Sequence, residues 1–117
     1  MTAPADEFRF ELTGLDELKR RRTLTFAFRH PRFGLHEIAL FWDGEGVYAL
    51  DNACPHMFGA LADGMVRRGE VHCPLHGAQF DLRTGKCIDF YTLDVAAYAA
   101  EVLDGMVWVT APGEQRA

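Results

Sequence analysis

Basic residues are scarce in this chain: 12 Lys and Arg stand against 17 Asp and Glu, for a formal net charge of −5. That balance excludes general nucleic-acid binding, which needs cationic surface to neutralise phosphates. Long apolar runs are missing as well. No stretch approaches the roughly 20 residues that a membrane-spanning helix requires. The opening Met1-Thr2-Ala3-Pro4-Ala5-Asp6-Glu7 has neither a basic start nor an apolar core, so no signal peptide or membrane anchor is expected. The cytoplasm is the expected compartment. Cysteine is sparse too: three residues, an odd number, do not make a disulfide framework, and cytoplasmic thiols are kept reduced. Paired Cys and His residues then point to metal before they point to a bridge. No internal repeat, low-complexity tract or central linker divides the 117 residues, which suit one domain with loose ends at about 1–6 and 112–117.

What is present reads as short strands. Residues 8–12 alternate apolar and polar side chains, and 23–29 and 35–42 are rich in Thr, Phe, Ile, Leu and Trp. Asp43-Gly44-Glu45-Gly46 is a turn signal ahead of a strand at 47–50, and Asp104-Gly105 joins 95–103 to 106–110 as a second hairpin. A single helical turn is expected at 14–19. The predicted fold class is all-β, antiparallel. Trp42, Trp108 and the nine phenylalanines are expected in its core.

The stretch 51–86 differs from its flanks. It holds five glycines (Gly59, Gly64, Gly69, Gly77 and Gly85), two X-Pro steps, three of the five histidines, and few conspicuous packing residues. A long loop-rich insert in a compact domain is usually functional. Within it stand Cys54-Pro55-His56 and, separated from His56 by sixteen residues, Cys73-Pro74-Leu75-His76. Thiolate and imidazole suit iron and zinc, and a proline after each cysteine lowers the entropy lost when the loop is ordered round a metal. Ligand type alone leaves two readings: an iron–sulfur cluster, or a mononuclear Cys2His2 zinc module, whose usual spacing pairs cysteine with cysteine instead.

The two motifs, with Asp51-Asn52-Ala53 before the first and Gly77-Ala78-Gln79-Phe80-Asp81-Leu82-Arg83-Thr84-Gly85-Lys86 after the second, resemble the Rieske iron–sulfur signature. The resemblance is closest to the stand-alone Rieske ferredoxins that feed electrons to bacterial ring-hydroxylating oxygenases. It implies a Rieske fold and one [2Fe–2S] cluster, with Cys54 and Cys73 on one iron and His56 and His76 on the other. It further implies a monomeric one-electron carrier between an NAD(P)H-dependent flavin reductase and a terminal oxygenase, with no catalytic residue of its own. Imidazoles in place of two thiolates remove negative charge and raise the potential into roughly −150 to +300 mV. High-potential members carry an extra cysteine in each ligand loop and hydroxyl donors to the sulfurs. The matching positions here are Gly59, Leu75, Ala78 and Phe80, which supply neither, so the low end, roughly −150 mV, is expected.

Related architectures stay in view. Small Rieske-like subunits of assimilatory nitrite reductases often lack the four ligands that this chain keeps. Rieske oxygenase large subunits continue into a catalytic domain, whereas about seven residues follow Thr110 here, so the chain is not expected to carry oxygen chemistry itself. Other candidates are set aside. Cys87 is expected to be a small buried hydrophobe. His72 is expected to point away from the cluster, because strand residues alternate in direction. His30 and His36 are expected at the surface or in turns. Lys19-Arg20-Arg21-Arg22 is expected to be a solvated turn. Met57, Phe58 and Leu75 flank the ligands and either shield the cluster or form an apolar contact patch.

Overall fold

The computed structural model describes residues 7–55, 59–75, 77–89 and 92–115. Ten strands dominate: β1 Glu7–Gly14, β2 Thr23–His30, β3 Gly34–Trp42, β4 Val47–Asp51, β5 Met65–Arg67, β6 Glu70–His72, β7 Gln79–Asp81, β8 Ala97–Leu103, β9 Met106–Pro112 and β10 Glu114–Gln115. A helix, α1, spans Leu15–Arg21, and a one-turn 3₁₀ helix spans Leu61–Asp63. The fold is mainly β, as its alternating segments imply. All pairings are antiparallel, in a seven-stranded sheet ordered β1-β9-β8-β4-β3-β2-β10 and a three-stranded sheet β5-β6-β7.

The larger sheet nearly closes on itself, because β10 follows β9 after one residue yet pairs with β2 at the far edge. The hinge is Gly113, at φ +87°, where a Cβ would sit 1.9 Å from the Arg29 carbonyl oxygen. Only glycine lets the strand swing across at that distance. Of the two ends expected to be loose, 1–6, 116 and 117 lie outside the described residues, whereas Glu114 and Gln115 are not loose but pair with Arg29 and Phe28. Their polar side chains hid a strand that is held by its backbone.

Strand β3 explains why 35–42 is so apolar. From Ile38 to Phe41 its alternate residues face two different cores, so that half of the strand is buried on both sides, while Leu35 and Glu37 are exposed. Ile38 and Leu40 join Leu18, Phe28, Ala49, Val107 and Val109 inside the near-barrel. Ala39 and Phe41 join Leu50, Leu61, Val71, Phe80 and Leu82 on the other side, all of them at most 1% exposed. The second core belongs largely to the insert. In sequence the insert reads as loop-rich and poor in packing residues. Instead it folds into β5, β6 and β7 and docks on the outer face of β3 and β4. Three-residue strands are too short to show a period of two, which is why they were missed.

Other local outcomes follow from simple chemistry. Asp104 and Gly105, at φ 51° and 77°, form the two-residue turn between β8 and β9 that Asp-Gly favours. The single turn at 14–19 is a seven-residue helix with Asp16 and Glu17 at its start and Lys19, Arg20 and Arg21 at its end, matching the helix dipole. The basic run is an exposed helix end, with Arg20 paired to Glu17 and Lys19 4.8 Å from the Trp42 ring centroid. The two tryptophans are half-buried rather than central: Trp42 packs at the core margin, and Arg9 covers Trp108 at 5.1 Å. No helix among the described residues is long and apolar enough to cross a membrane.

Asp43 ties the two sheets together. Its Oδ1 accepts the N–H groups of Glu45 and Gly46 at 2.9 and 2.8 Å, and its Oδ2 accepts that of Gly69, in the β5–β6 turn, at 2.8 Å. Burial pushes its carboxyl up, but the amide donors of Gly46, Glu45 and Gly69 outweigh it and hold the group below the usual aspartate value. A lowered folded pKa stabilises the protein above the unfolded-state value and stops doing so as pH falls through the folded one. Asp43→Ala is therefore expected to cost about 2 kcal/mol in urea unfolding at pH 7, and less at pH 3. An equal loss at both pH values would show that the carboxylate charge is not the tie.

Candidate metal centre

Two loops converge where the insert meets β4. The first leaves β4 through Asn52 and reaches Cys54, whose N–H donates to the Gly59 carbonyl at 2.8 Å. Ala53 and Ala60 form an isolated bridge just outside that bond. The second leaves β6 and reaches Cys73, whose N–H donates to the Ala78 carbonyl at 2.7 Å, with Gly77 N–H returning to the Cys73 carbonyl at 3.2 Å. Each loop is thus closed by the same bond, from a cysteine N–H to the carbonyl five residues on. The predicted histidine lies inside each closed segment, at 56 and at 76.

Both cysteines are buried, at 0% and 2% exposure, and no disulfide joins them. The loops touch. A Cβ on Gly59 would lie 3.3 Å from Cys73 Sγ and 3.0 Å from Leu75 Cδ1, so the first loop's glycine is where the second loop's sulfur fits. On the flank, Cys73 lines an open surface hollow with Asp63, Met65, His72, Pro74 and Gly77. His56, Met57, Phe58 and His76 lie outside the described residues. Among the described residues, no three Cys, His, Asp or Glu side chains gather as a metal site. The candidate donors are two soft thiol sulfurs from facing loops, with a histidine two positions after Cys54 and three after Cys73 in the sequence. That donor set suits an iron–sulfur cluster.

The remaining histidines are sorted by their surroundings. His72 stays on β6 with Nε2 2.8 Å from Glu70 Oε1. His30 Nδ1 accepts the N–H groups of Arg32 at 3.0 Å and Phe33 at 3.2 Å, a turn role. His36 departs from its expected surface position. It is half-buried, Nδ1 lies 2.9 Å from Asp51 Oδ1, and the Tyr98 hydroxyl donates to the same oxygen at 3.0 Å. Burial first, then the charge and hydrogen bond of Asp51, push the Tyr98 phenol above its ordinary value. The signal was in the sequence: 36 shares its strand face with Ile38 and Leu40. Cys87 is buried as expected, and its thiol also donates to Asp89 Oδ1 at 3.1 Å while its N–H reaches Asp94 Oδ1 at 2.8 Å.

The Rieske-like [2Fe–2S] domain family matches residues 15–110. The chain belongs to that family. This Rieske-like domain is 35% identical over 88 residues to the ferredoxin component of the 2,4-dinitrotoluene dioxygenase system of Burkholderia sp. strain RASC, covering 74% of this chain and 80% of that one. Among solved structures it resembles one from the complex of reduced oxygenase and oxidised ferredoxin in carbazole 1,9a-dioxygenase, at TM-score 0.73 and 23% identity over 93% of this chain and 96% of that one. A Mycobacterium tuberculosis protein described as an NADH-dependent nitrite reductase small subunit is also similar, at TM-score 0.72 and 25% identity over 90% and 96% of the two chains. The Rieske fold expected from the ligand motifs is the one observed.

Proposed function

We propose that this Rieske-like domain is a one-electron carrier in a dioxygenase system, holding a single [2Fe–2S] cluster with Cys54 and Cys73 on one iron and His56 and His76 on the other. The observation that carries the reading is the pair of buried cysteines on facing, identically closed loops in a chain of this family. When bound, such a cluster supplies a one-electron couple within roughly −150 to +300 mV.

The chain's own residues do the rest. The Cys54–Gly59 and Cys73–Ala78 bonds fix the backbone that carries the two sulfurs, which limits the entropy that holding a cluster costs. Ala78 and Phe80, both fully buried, present no hydroxyl to the cluster sulfurs, which favours the low end of the range, roughly −150 mV. Exposed Pro74 and Leu75, the latter 41% accessible, form an apolar rim beside the second loop and suit brief docking. Leu75 also packs against Gly59, so it both shields and presents a contact. In this reading the domain works as a cytoplasmic monomer, accepts electrons from an NAD(P)H-dependent flavin reductase and delivers them to a terminal oxygenase acting on aromatic rings. It contributes no catalytic residue.

The test is reconstitution. Anaerobically purified protein should be coloured, contain two irons and two sulfides, and give a paramagnetic signal after dithionite. With reductase, NADH and oxygenase it should restore turnover that its omission abolishes. Colourless protein loaded with zinc would overturn the cluster; a coloured protein that co-elutes with a large reductase and fails to support any oxygenase would favour the subunit reading, which the nitrite reductase likeness motivates.

A further inference from the structure

We propose that Asn52 is a positioning residue that locks the first ligand loop at both of its ends, and that it thereby controls cluster retention and potential. This deepens, and rests on, the reading of that loop as half of a [2Fe–2S] site. Asn52 is one of two buried polar residues among those described, 5% exposed, and all four of its hydrogen-bonding groups are used across the loop. Towards β3, its N–H donates to the Glu37 carbonyl at 3.0 Å and its Nδ2 to Glu37 Oε1 at 3.0 Å. Towards the far end of the loop, its carbonyl accepts the Leu61 N–H at 2.7 Å and its Oδ1 the Ala62 N–H at 2.8 Å.

Those two amides are the unpaired donors at the start of the 3₁₀ helix, and the local cap residue, Ala60, has no side chain to satisfy them. Asn52 caps that helix from across the loop. The loop that carries Cys54 therefore starts at Asn52 and ends at Leu61 and Ala62, and the backbone and side chain of Asn52 bind that far end as well as β3. A carboxamide is the side chain that suits this place. It offers an acceptor to Ala62 and a donor to Glu37 at once, whereas a carboxylate would turn a second negative charge towards Glu37 and an alkyl group would leave a buried N–H unpaired.

The experiment compares cluster-loaded parent, Asn52→Ala, Asn52→Asp and Thr23→Val. The last removes a different bond to the same helix, from Thr23 Oγ1 to the Ala62 carbonyl at 3.0 Å, without touching the loop's other end. Bleaching by EDTA and midpoint potential are measured for each. Asn52→Ala is expected to bleach about tenfold faster or more, as a buried amide loses its acceptor. Its potential is expected to shift upward, because water reaching the sulfurs favours the more negative reduced state. Asn52→Asp should fall between parent and Asn52→Ala in bleaching rate, and Thr23→Val should bleach like the parent. Bleaching of Asn52→Ala within twofold of the parent, or equal to that of Thr23→Val, would overturn the proposal. Should Asn52→Ala not fold, hydrogen exchange on the parent decides. Leu61 and Ala62 amides protected at least about tenfold over an unstructured chain support the lock, and unprotected amides overturn it. If the parent itself takes up no cluster, the function fails while the amide measurement still reads the tether.

Discussion

Serine in place of Cys73 is expected to give a folded but colourless protein with near-zero bound iron and no capacity to support oxygenase turnover. A thiol suits the proposed ligand role because it can ionise and its sulfur is soft; a hydroxyl offers neither property at neutral pH. The site also leaves no room for a substitute donor. Cys73 is 2% exposed, and its Sγ meets the position where Gly59 would carry a side chain. Among the described residues no three metal-binding side chains gather anywhere. Changes to groups that merely support a ligand already cost ten- to a hundredfold in metal affinity, so loss of a ligand itself should cost more than about a hundredfold. Cys54→Ser should behave the same way. Cys87→Ser is the control: its thiol serves Asp89, a role that a hydroxyl can fill, so colour and iron content should stay at the parent's level. Iron and sulfide assays on the three variants check this. Retained colour in Cys73→Ser, or lost colour in Cys87→Ser, would reassign the ligands.

Cys73 and Cys87 are both buried, and the sequence separates them by spacing alone: Cys73 stands in a Cys-x-x-His motif and Cys87 stands outside either motif. The β class was legible for a related reason. Alternation in 8–12 and the double-faced apolar run at 35–42 report the faces of long strands directly, and the Asp104-Gly105 turn announces its hairpin. What stayed hidden has physical causes. Strands β5, β6 and β7 are three residues each, too brief to display a period, and their apolar residues are dispersed among glycines that read as loop. Strand β10 is polar and held by backbone alone. His36 and Asp51 lie fifteen residues apart and meet only because β3 and β4 pair with Ile38 opposite Asp51. Asn52 stands two residues before Cys54 in the sequence, yet its task of spanning a loop is a property of three dimensions. The cysteines, by contrast, reach the same place because β4 and β6 both end at the seam between the sheets.

Just before β5 in the smaller sheet, Gly64 is an exacting backbone position close to Cys73. Gly64 closes the 3₁₀ helix, its N–H donating to the Leu61 carbonyl at 2.9 Å. A Cβ there would sit 2.0 Å from the carbonyl oxygen of His72, the residue before Cys73. Its φ of −82° and ψ of 179° are ordinary for any residue, so the cost of Gly64→Ala is contact and not torsion. The opposing atom is backbone in β6, which cannot rotate aside as a side chain would. Relief requires β5 and β6 to part where Met65 pairs with His72, and Cys73 moves with β6. Overpacking against an immovable neighbour reaches the upper end of its usual range, about 3 kcal/mol or more, in a small domain whose total stability is of the order of 5–15 kcal/mol. Gly64→Ala should therefore lower the urea midpoint sharply and reduce iron per chain in what remains folded. Gly14→Ala, with nothing within 4 Å of its new Cβ, should stay within about 0.5 kcal/mol of the parent and keep its colour. Equal stability and iron content in the two variants would mean that β6 is not held against the 3₁₀ helix, and that Cys73 owes its position to some other contact.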